Sequence, residues 1–220
     1  MQSVLMAQCL QKYCRLFTAG LSAIALIATI TFSPPANAKL FDSVVAQLPV
    51  KERVALREGR VIVTGNKGQY TGRLLVTALT PTAWEVVSDY GNFARFLPNV
   101  VSSQILETNG NRKVFEQVQL FRVFIFTKKA RVRIAVTETY LQQIAFRVVQ
   151  GRLRSLEGSW RLEPVSSYAG APPNQVLLTH QVAVDPGSIS GRGLFFGIYK
   201  NSLENTLKAV KQEIEKRSAK

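Results

Sequence analysis

From residue 99 to residue 185 the chain reads as strand after strand, and only one long amphipathic helix follows. The alternation of apolar and polar side chains predicts strands at about 99–107, 112–121, 128–139, 143–150, 153–164 and 175–185. Asn109-Gly110-Asn111, a Phe-rich connection, Tyr140 to Gln142, Gly151 and a Ser/Gly/Pro loop at 166–174 separate them. After them, Tyr199, Leu203, Leu207, Val210 and Ile214 recur at steps of three and four, with Lys200, Glu204, Lys208, Lys211 and Glu215 opposite. A meander with one apolar face then has a single helix available to cover it. The pattern therefore predicts an α+β fold: a curved antiparallel sheet of six or seven strands gripping one C-terminal helix over 190–216. A bent sheet under one helix leaves an apolar cavity, where ligand sites commonly form.

The segment before this run is shorter and mixed. Residues 39–59 form a lead-in in which Phe41, Val44, Val45 and Leu48 fit a turn or two of amphipathic helix that Pro49 interrupts. Gly65-Asn66-Lys67-Gly68 is a hairpin signal between 60–64 and 69–78. Thr80-Pro81 opens a helix carrying Ala83, Trp84, Val86, Val87 and Tyr90, and Gly91 ends it. Residues 92–97 read as a second short helix, stopped by Pro98.

The first 38 residues read as an address. Lys12 and Arg15 precede an uncharged run from Leu16 to Phe32, then Ser33-Pro34-Pro35 and the small-x-small site Ala36-Asn37-Ala38. This is the layout of a secretory signal peptide cleaved after Ala38, so export to a periplasm or to the lumen of an internal membrane system is expected. A retained membrane anchor is the alternative. Both cysteines, Cys9 and Cys14, would leave with the leader, which removes disulfides, thiol catalysis and thiolate metal sites from the mature chain. The whole chain carries 28 Lys and Arg against 14 Asp and Glu, a net +14. An exported protein seldom meets nucleic acid, so none is expected. The charge points to anionic headgroups, acidic polymers or an acidic protein face, or else simply keeps the domain soluble.

Two motifs carry a resemblance. Val76 to Pro98, V-T-A-L-T-P-T-A-W-E-V-V-S-D-Y-G-N-F-A-R-F-L-P, resembles the entry of the START-like, polyketide cyclase/dehydrase and coenzyme-Q-binding (SRPBCC) superfamily. Gly158-Ser159-Trp160-Arg161-Leu162-Glu163-Pro164 is similar to that family's G-x-W-x-L-x-P strand. The likeness spans residues 60–217. It implies a helix-grip fold with an apolar cavity and nothing finer, because members include lipid carriers, quinone binders and cyclases.

Strand parity selects side chains without the family. In 128–139, 143–150, 153–164 and 175–185 runs of apolar residues such as Val132, Ile134 and Val136, or Ile144, Phe146 and Val148, fall on even numbers, which turns the even positions inward. On that parity Glu116, Gln150, Arg154 and His180 are inward polar groups, which need partners or a ligand. They are candidates for a polar head site. The alternatives are mutual satisfaction, such as a Glu116–Arg154 pair, or a bulge that turns one of them outward. Trp84, Phe93, Phe96, Phe146, Trp160, Phe195 and Tyr199 are candidates for the apolar wall. The odd parity carries Lys129, Arg131, Arg133, Arg147 and Arg161, a basic face beside the aromatic stretch that includes Phe124, Phe126 and Lys128. That stretch is either a bilayer wedge with cations for anionic headgroups or a strand continuation closing the cavity mouth.

The expected function is binding or carriage of a hydrophobic or amphipathic small molecule, a lipid, quinone or polyketide-like compound, by a monomer without cofactor or metal. One His excludes most nucleophilic triads and His-based metal sites. Glycines 187, 191, 193 and 197 lack the Lys-Ser/Thr ending of a phosphate loop. Two alternatives stay open. One is cyclase/dehydratase chemistry with Glu116 and His180 as acid and base; the other is a peripheral membrane adaptor using the basic face.

Overall fold

The computed structural model describes residues 43–123, 126–188 and 190–219, and of 121–123 and 126–128 the backbone alone. Residues 1–38, read above as a leader, and Phe124 lie outside the described residues, as do the side chains of Phe126 and Lys128.

Among the described residues, eight strands form one antiparallel sheet in the order β1-β2-β8-β7-β6-β5-β4-β3. They are β1 (Ile62–Asn66), β2 (Gln69–Val76), β3 (Val100–Asn109), β4 (Arg112–Val123), β5 (Phe126–Thr139), β6 (Gln143–Gln150), β7 (Ser155–Ser166) and β8 (Pro173–Asp185). The meander of six is as expected. The β1–β2 hairpin joins it through β2–β8 pairing from Gln69↔Ala183 to Val76↔Val176, which raises the count to eight. Between β2 and β3 the chain crosses from one side of the sheet to the far edge by way of α2 (Thr80–Val87), a 3₁₀ turn at Tyr90–Asn92 and α3 (Phe93–Phe96). The last element is α4 (Arg192–Ser218).

Helix α4 closes the concave face. Leu203, Leu207, Val210 and Ile214 are buried on it, together with Leu74, Ile134, Val136, Ile144, Leu162, Leu178 and Val182 from the sheet. Close approach depends on Gly72 of β2: a Cβ there would lie 2.4 Å from Leu207 Cδ1. The grip is uneven. Phe195, Ile198, Tyr199 and Ser202, on the same stripe but nearer the N-terminus, are only half-buried. The helix packs on the sheet along its C-terminal half; its N-terminal half rests on β2, where the Tyr70 hydroxyl donates to the Phe196 carbonyl at 3.2 Å, and stands off the middle strands.

The lead-in departs from expectation. The helix α1 (Val50–Arg57) begins after Pro49 rather than before it. Proline lacks an N–H, which costs nothing just ahead of a first turn, and its carbonyl accepts from the N–H groups of Glu52 and Arg53. Leu56 and Val45 cover Leu75, Val165 and Leu177 on the outer face, making a second small core. Arg73 Nη1 to Glu52 Oε2, 2.6 Å, ties this layer to β2.

Even positions face α4 on β5, on β7, on β8 and on β6 as far as Val148, but not on β4. The β4–β5 ladder pairs Phe115 with Ile134 and Glu116 with Arg133, through to Val123↔Phe126. Odd residues of β4 thus share a face with even residues of β5, and side chains directly opposite point the same way. Phe115 and Gln117 are the inward residues, and Glu116 is outward. A second reversal occurs on β6. Ile134 pairs with Val148 but Arg133 with Gln150, so a bulge at Val149 turns Gln150 to the outer face.

Candidate functional site

Between the N-terminal half of α4 and the middle strands there is a cavity of about 540 Å³. Its sheet wall is Ile134, Val136, Ile144, Phe146, Val148, Leu156, Trp160 and His180. Its roof is the N-terminal half of α4, through Leu194, Phe195, Ile198, Tyr199, Ser202 and Thr206. Val87, Tyr90, Phe93, Leu97 and Pro98 close one side, from α2 and the segment leading to β3. Lys129, Arg131 and Arg152, all exposed, also contribute to the lining. The lining is overwhelmingly apolar, and such a hollow holds molecules that water expels.

Aromatic rings face each other across the space. On the roof, Phe195 and Tyr199 lie 5.9 Å apart and nearly parallel, and Tyr199 stacks in turn on Tyr70 at 5.8 Å. Burial pushes the Tyr199 hydroxyl well above the ordinary phenol pKa, and the neighbouring Tyr70 adds to this. On the sheet, Trp160 and Phe146 both stack with His180, with centroids 4.1 and 5.4 Å from it. Trp160 is the cross-strand partner of His180 and Gly72 is its partner on β2.

His180 is 7% exposed. Burial brings its pKa down to about 3, against an opposing pull from the Ser159 backbone. The ring is therefore neutral at neutral pH, a weak base with no imidazolium proton to give. Its Nδ1 is buried without a hydrogen-bond partner.

The side of the cavity near β3 is held by a polar clamp. Tyr90 stacks on Phe115 at 4.7 Å and its hydroxyl donates to Glu138 Oε1 at 2.7 Å. Lys113 Nζ reaches both Glu138 oxygens, at 2.9 and 3.0 Å. Burial first, then this carboxylate, raises the Tyr90 pKa. Ser103 Oγ donates to the Tyr90 carbonyl at 2.5 Å. The clamp anchors the 3₁₀ turn to the sheet and so fixes the side wall that Phe93 and Leu97 provide.

Of the expected wall residues, Phe93, Phe146, Trp160, Phe195 and Tyr199 line the cavity, and so does His180. Trp84 does not: it is buried in the adjoining core and meets Tyr140 edge-on at 5.6 Å. Phe96 faces away, under the Arg217 guanidinium at 5.8 Å. Three of the four expected polar residues are elsewhere. Glu116, 7% exposed, accepts from Arg133 Nε at 2.9 Å and pairs with Arg131 Nε at 3.5 Å, all on the outer face. Gln150 is exposed beyond the Val149 bulge. Arg154 is exposed just before β7 and meets Asp185 at 3.6 Å. The expected Glu116–Arg154 pair is absent, since each has other partners.

Parity reasoning missed Phe115, Gln117 and Gln119. These line the cavity because β4 runs in the opposite phase, and Gln119 Nε2 donates to Gln117 Oε1 at 3.0 Å. Lys129, Arg147 and Arg161 are exposed as expected, while Glu116 holds Arg131 and Arg133. Among the described residues, no three His, Cys, Asp or Glu side chains converge where a metal ion could sit.

A wrapped antiparallel sheet, a C-terminal helix across it and a hollow between them define the helix-grip class. The family model for polyketide cyclase / dehydrase and lipid transport matches residues 76–211, and the chain belongs to that family. Solved structures agree on the fold. A START superfamily protein from Mycobacterium smegmatis is 18% identical, with a TM-score of 0.57 over 70% of this chain and 99% of that one. The Zhui aromatase/cyclase from Streptomyces sp. R1128 is 20% identical, with a TM-score of 0.54 over 68% and 94%. A STAR-related lipid transfer protein from Xanthomonas axonopodis is 18% identical, with a TM-score of 0.53 over 70% and 92%. No curated protein matches the chain in sequence.

Proposed function

We infer that this protein binds a hydrophobic or amphipathic small molecule between α4 and the concave face of the sheet, and shields it from water. The observation that carries this reading is the 540 Å³ apolar hollow between the N-terminal half of α4 and the middle strands of the sheet. A ligand hiding about 300 Å² of apolar surface there gains roughly 7 kcal/mol before ordering costs. Native mass spectrometry of the purified protein, followed by solvent extraction, tests it. A bound lipid, quinone or polyketide-like compound is expected; a consistently empty protein overturns the reading.

The names of the structural neighbours cover both a lipid carrier and a cyclase. Carriage is the better fit here. Acid–base chemistry by Glu116 and His180 needs the two within one water of each other. They sit on opposite faces, on strands separated by β5, β6 and β7, roughly 19 Å along the sheet.

A second reading is favoured by Lys129, Arg131 and Arg152, exposed cations on β5 and the β6–β7 turn beside the cavity. Anionic headgroups would meet these cations and bring the mouth to a bilayer. Cosedimentation with phosphatidylglycerol vesicles is expected to fall steeply with salt and to vanish in Lys129→Glu/Arg131→Glu. Binding unchanged by either treatment removes this reading. Export after cleavage at Ala38 belongs to the same proposal, and N-terminal sequencing of the exported form, expected to begin at Lys39, checks it.

A further inference from the structure

We propose that the first two turns of α4, Arg192 to Ile198, are a gate. They unwind locally and reclose to pass a ligand, while the helix from Tyr199 onward stays on the sheet. The proposal rests on the cavity-binding reading above and adds the route by which the hollow fills.

Gly193 and Gly197 sit four residues apart on one exposed side of the helix. At neither would a Cβ meet an atom within 4 Å among the described residues, and neither has a positive φ. Close packing and backbone geometry therefore do not call for glycine here, as close packing does at Gly72. What a glycine does inside a helix is weaken it, by up to about fivefold in the helical equilibrium relative to alanine. The start of the helix is weak as well. Gly191, at φ 78°, brings no side chain to cap the free N–H groups. Arg192 then sets a positive charge at the positive end of the helix dipole.

Burial along the helix runs the same way. No residue from Arg192 to Ser202 is buried, whereas Leu203, Leu207, Val210 and Ile214 are. The far end is also latched: Arg217 donates to Asp89 at 2.8 Å and to Glu213 at 2.9 Å, with its guanidinium over the Phe96 ring. Local opening starts where apolar contacts are few and backbone is exposed, which is the glycine end. Leu194, Phe195 and Ile198 are roof residues of the cavity. Unwinding 192–198 uncovers about 10 Å of helix length above the hollow, at 1.5 Å per residue, which is wide enough for a ring or an acyl chain. Opening breaks the bond from the Tyr70 hydroxyl to the Phe196 carbonyl. Tyr199 marks the limit, because its own ring stacks on Tyr70 at 5.8 Å.

Hydrogen exchange of the ligand-free full chain, read by mass spectrometry, tests the gate without any probe. Peptides covering 192–198 are expected to exchange at least about tenfold faster than those covering 203–214. Gly193→Ala/Gly197→Ala is expected to slow exchange of 192–198 about tenfold and to leave 203–214 unchanged. Stopped-flow uptake of N-phenyl-1-naphthylamine, a neutral fluorescent ring compound, is expected to slow by a similar factor in that variant. Release slows with it, so Kd stays within about twofold of wild type. Equal protection along α4, or uptake at the wild-type rate in the double variant, overturns the gate while cavity binding stands. A probe that fails to bind the wild-type protein overturns cavity binding and the gate together.

Discussion

Phe146 lies nearly parallel to His180, 5.4 Å away at 18°, although β7 runs between their strands. The residue beneath the ring is Gly158, the cross-strand partner of Phe146. A Cβ on Gly158 would come within 2.8 Å of Phe146 Cζ and 2.0 Å of the Gln181 carbonyl oxygen. The glycine that opens the G-x-W motif is thus what lets one ring reach across a strand to another.

Gly158→Ala is expected to destabilise the fold by about 1–3 kcal/mol, the usual cost of overfilling a packed site. Urea denaturation measures it. The same variant is expected to reduce the ligand extracted from the cavity, because Phe146, part of its wall, must leave His180; stability and ligand content both at wild-type levels would show that the ring has another route.

His180 also sets an acid response. Its pKa falls on folding, so below the ordinary imidazole value of about 6.5 the unfolded chain holds a proton that the folded one does not. Stability is complete above pH ~6.5 and declines as the pH falls toward 3, by about 2 kcal/mol at pH 5. Asp185, through the Gly187 N–H and then its arginine neighbours, and Glu213, through Arg217 and then Lys216, have lowered pKa values. They add losses only in the carboxylate range below. Thermal melts from pH 7 to 5 are expected to slope in the wild type and run flat in His180→Phe.

Gly72 and Leu207 are coupled. Gly72→Ala places a methyl 2.4 Å from Leu207 Cδ1, and Leu207→Ala empties a fully buried site at a cost of about 2–5 kcal/mol. The double variant is expected to be more stable than the sum of the two losses by at least about 0.5 kcal/mol. Strict additivity in a denaturation cycle would mean that α4 is not seated by this contact.

Ile198 is half-buried and faces the hollow. Ile198→Trp is expected to fill the hollow and reduce extractable ligand several-fold, with stability within about 1 kcal/mol of wild type or above it. Arg133→Gln, on the outer face, is expected to leave ligand content unchanged. Equal ligand content in wild type and Ile198→Trp would place the bound molecule elsewhere.

Much of this was legible in sequence, and the failures are local. Period-two alternation in 128–139 and 175–185 and the three-four stripe of α4 specify strands and helix through burial alone. Phe146, Trp160 and Tyr199 follow as cavity residues. Leu74-Leu75-Val76 and Leu177-Leu178 carried a signal that was not read. Apolar side chains on both faces of a strand require cover on both, and α1 supplies the second.

Face and phase were a different matter. On β4 the even positions hold Val114 and Val118 and the odd positions Phe115, Gln117 and Gln119, so neither face is plainly apolar and composition leaves the orientation open. The answer came from the β4–β5 ladder, where pairing odd with even residues sends Glu116 to Arg133 and brings the two glutamines inside. The Val149 bulge did the same to Gln150, by one residue of register that no side chain announces. Local periodicity is a property of each strand and was present in the chain itself. Which face becomes the inside depends on how strands pair and where α4 lands, and both are fixed only when distant segments meet.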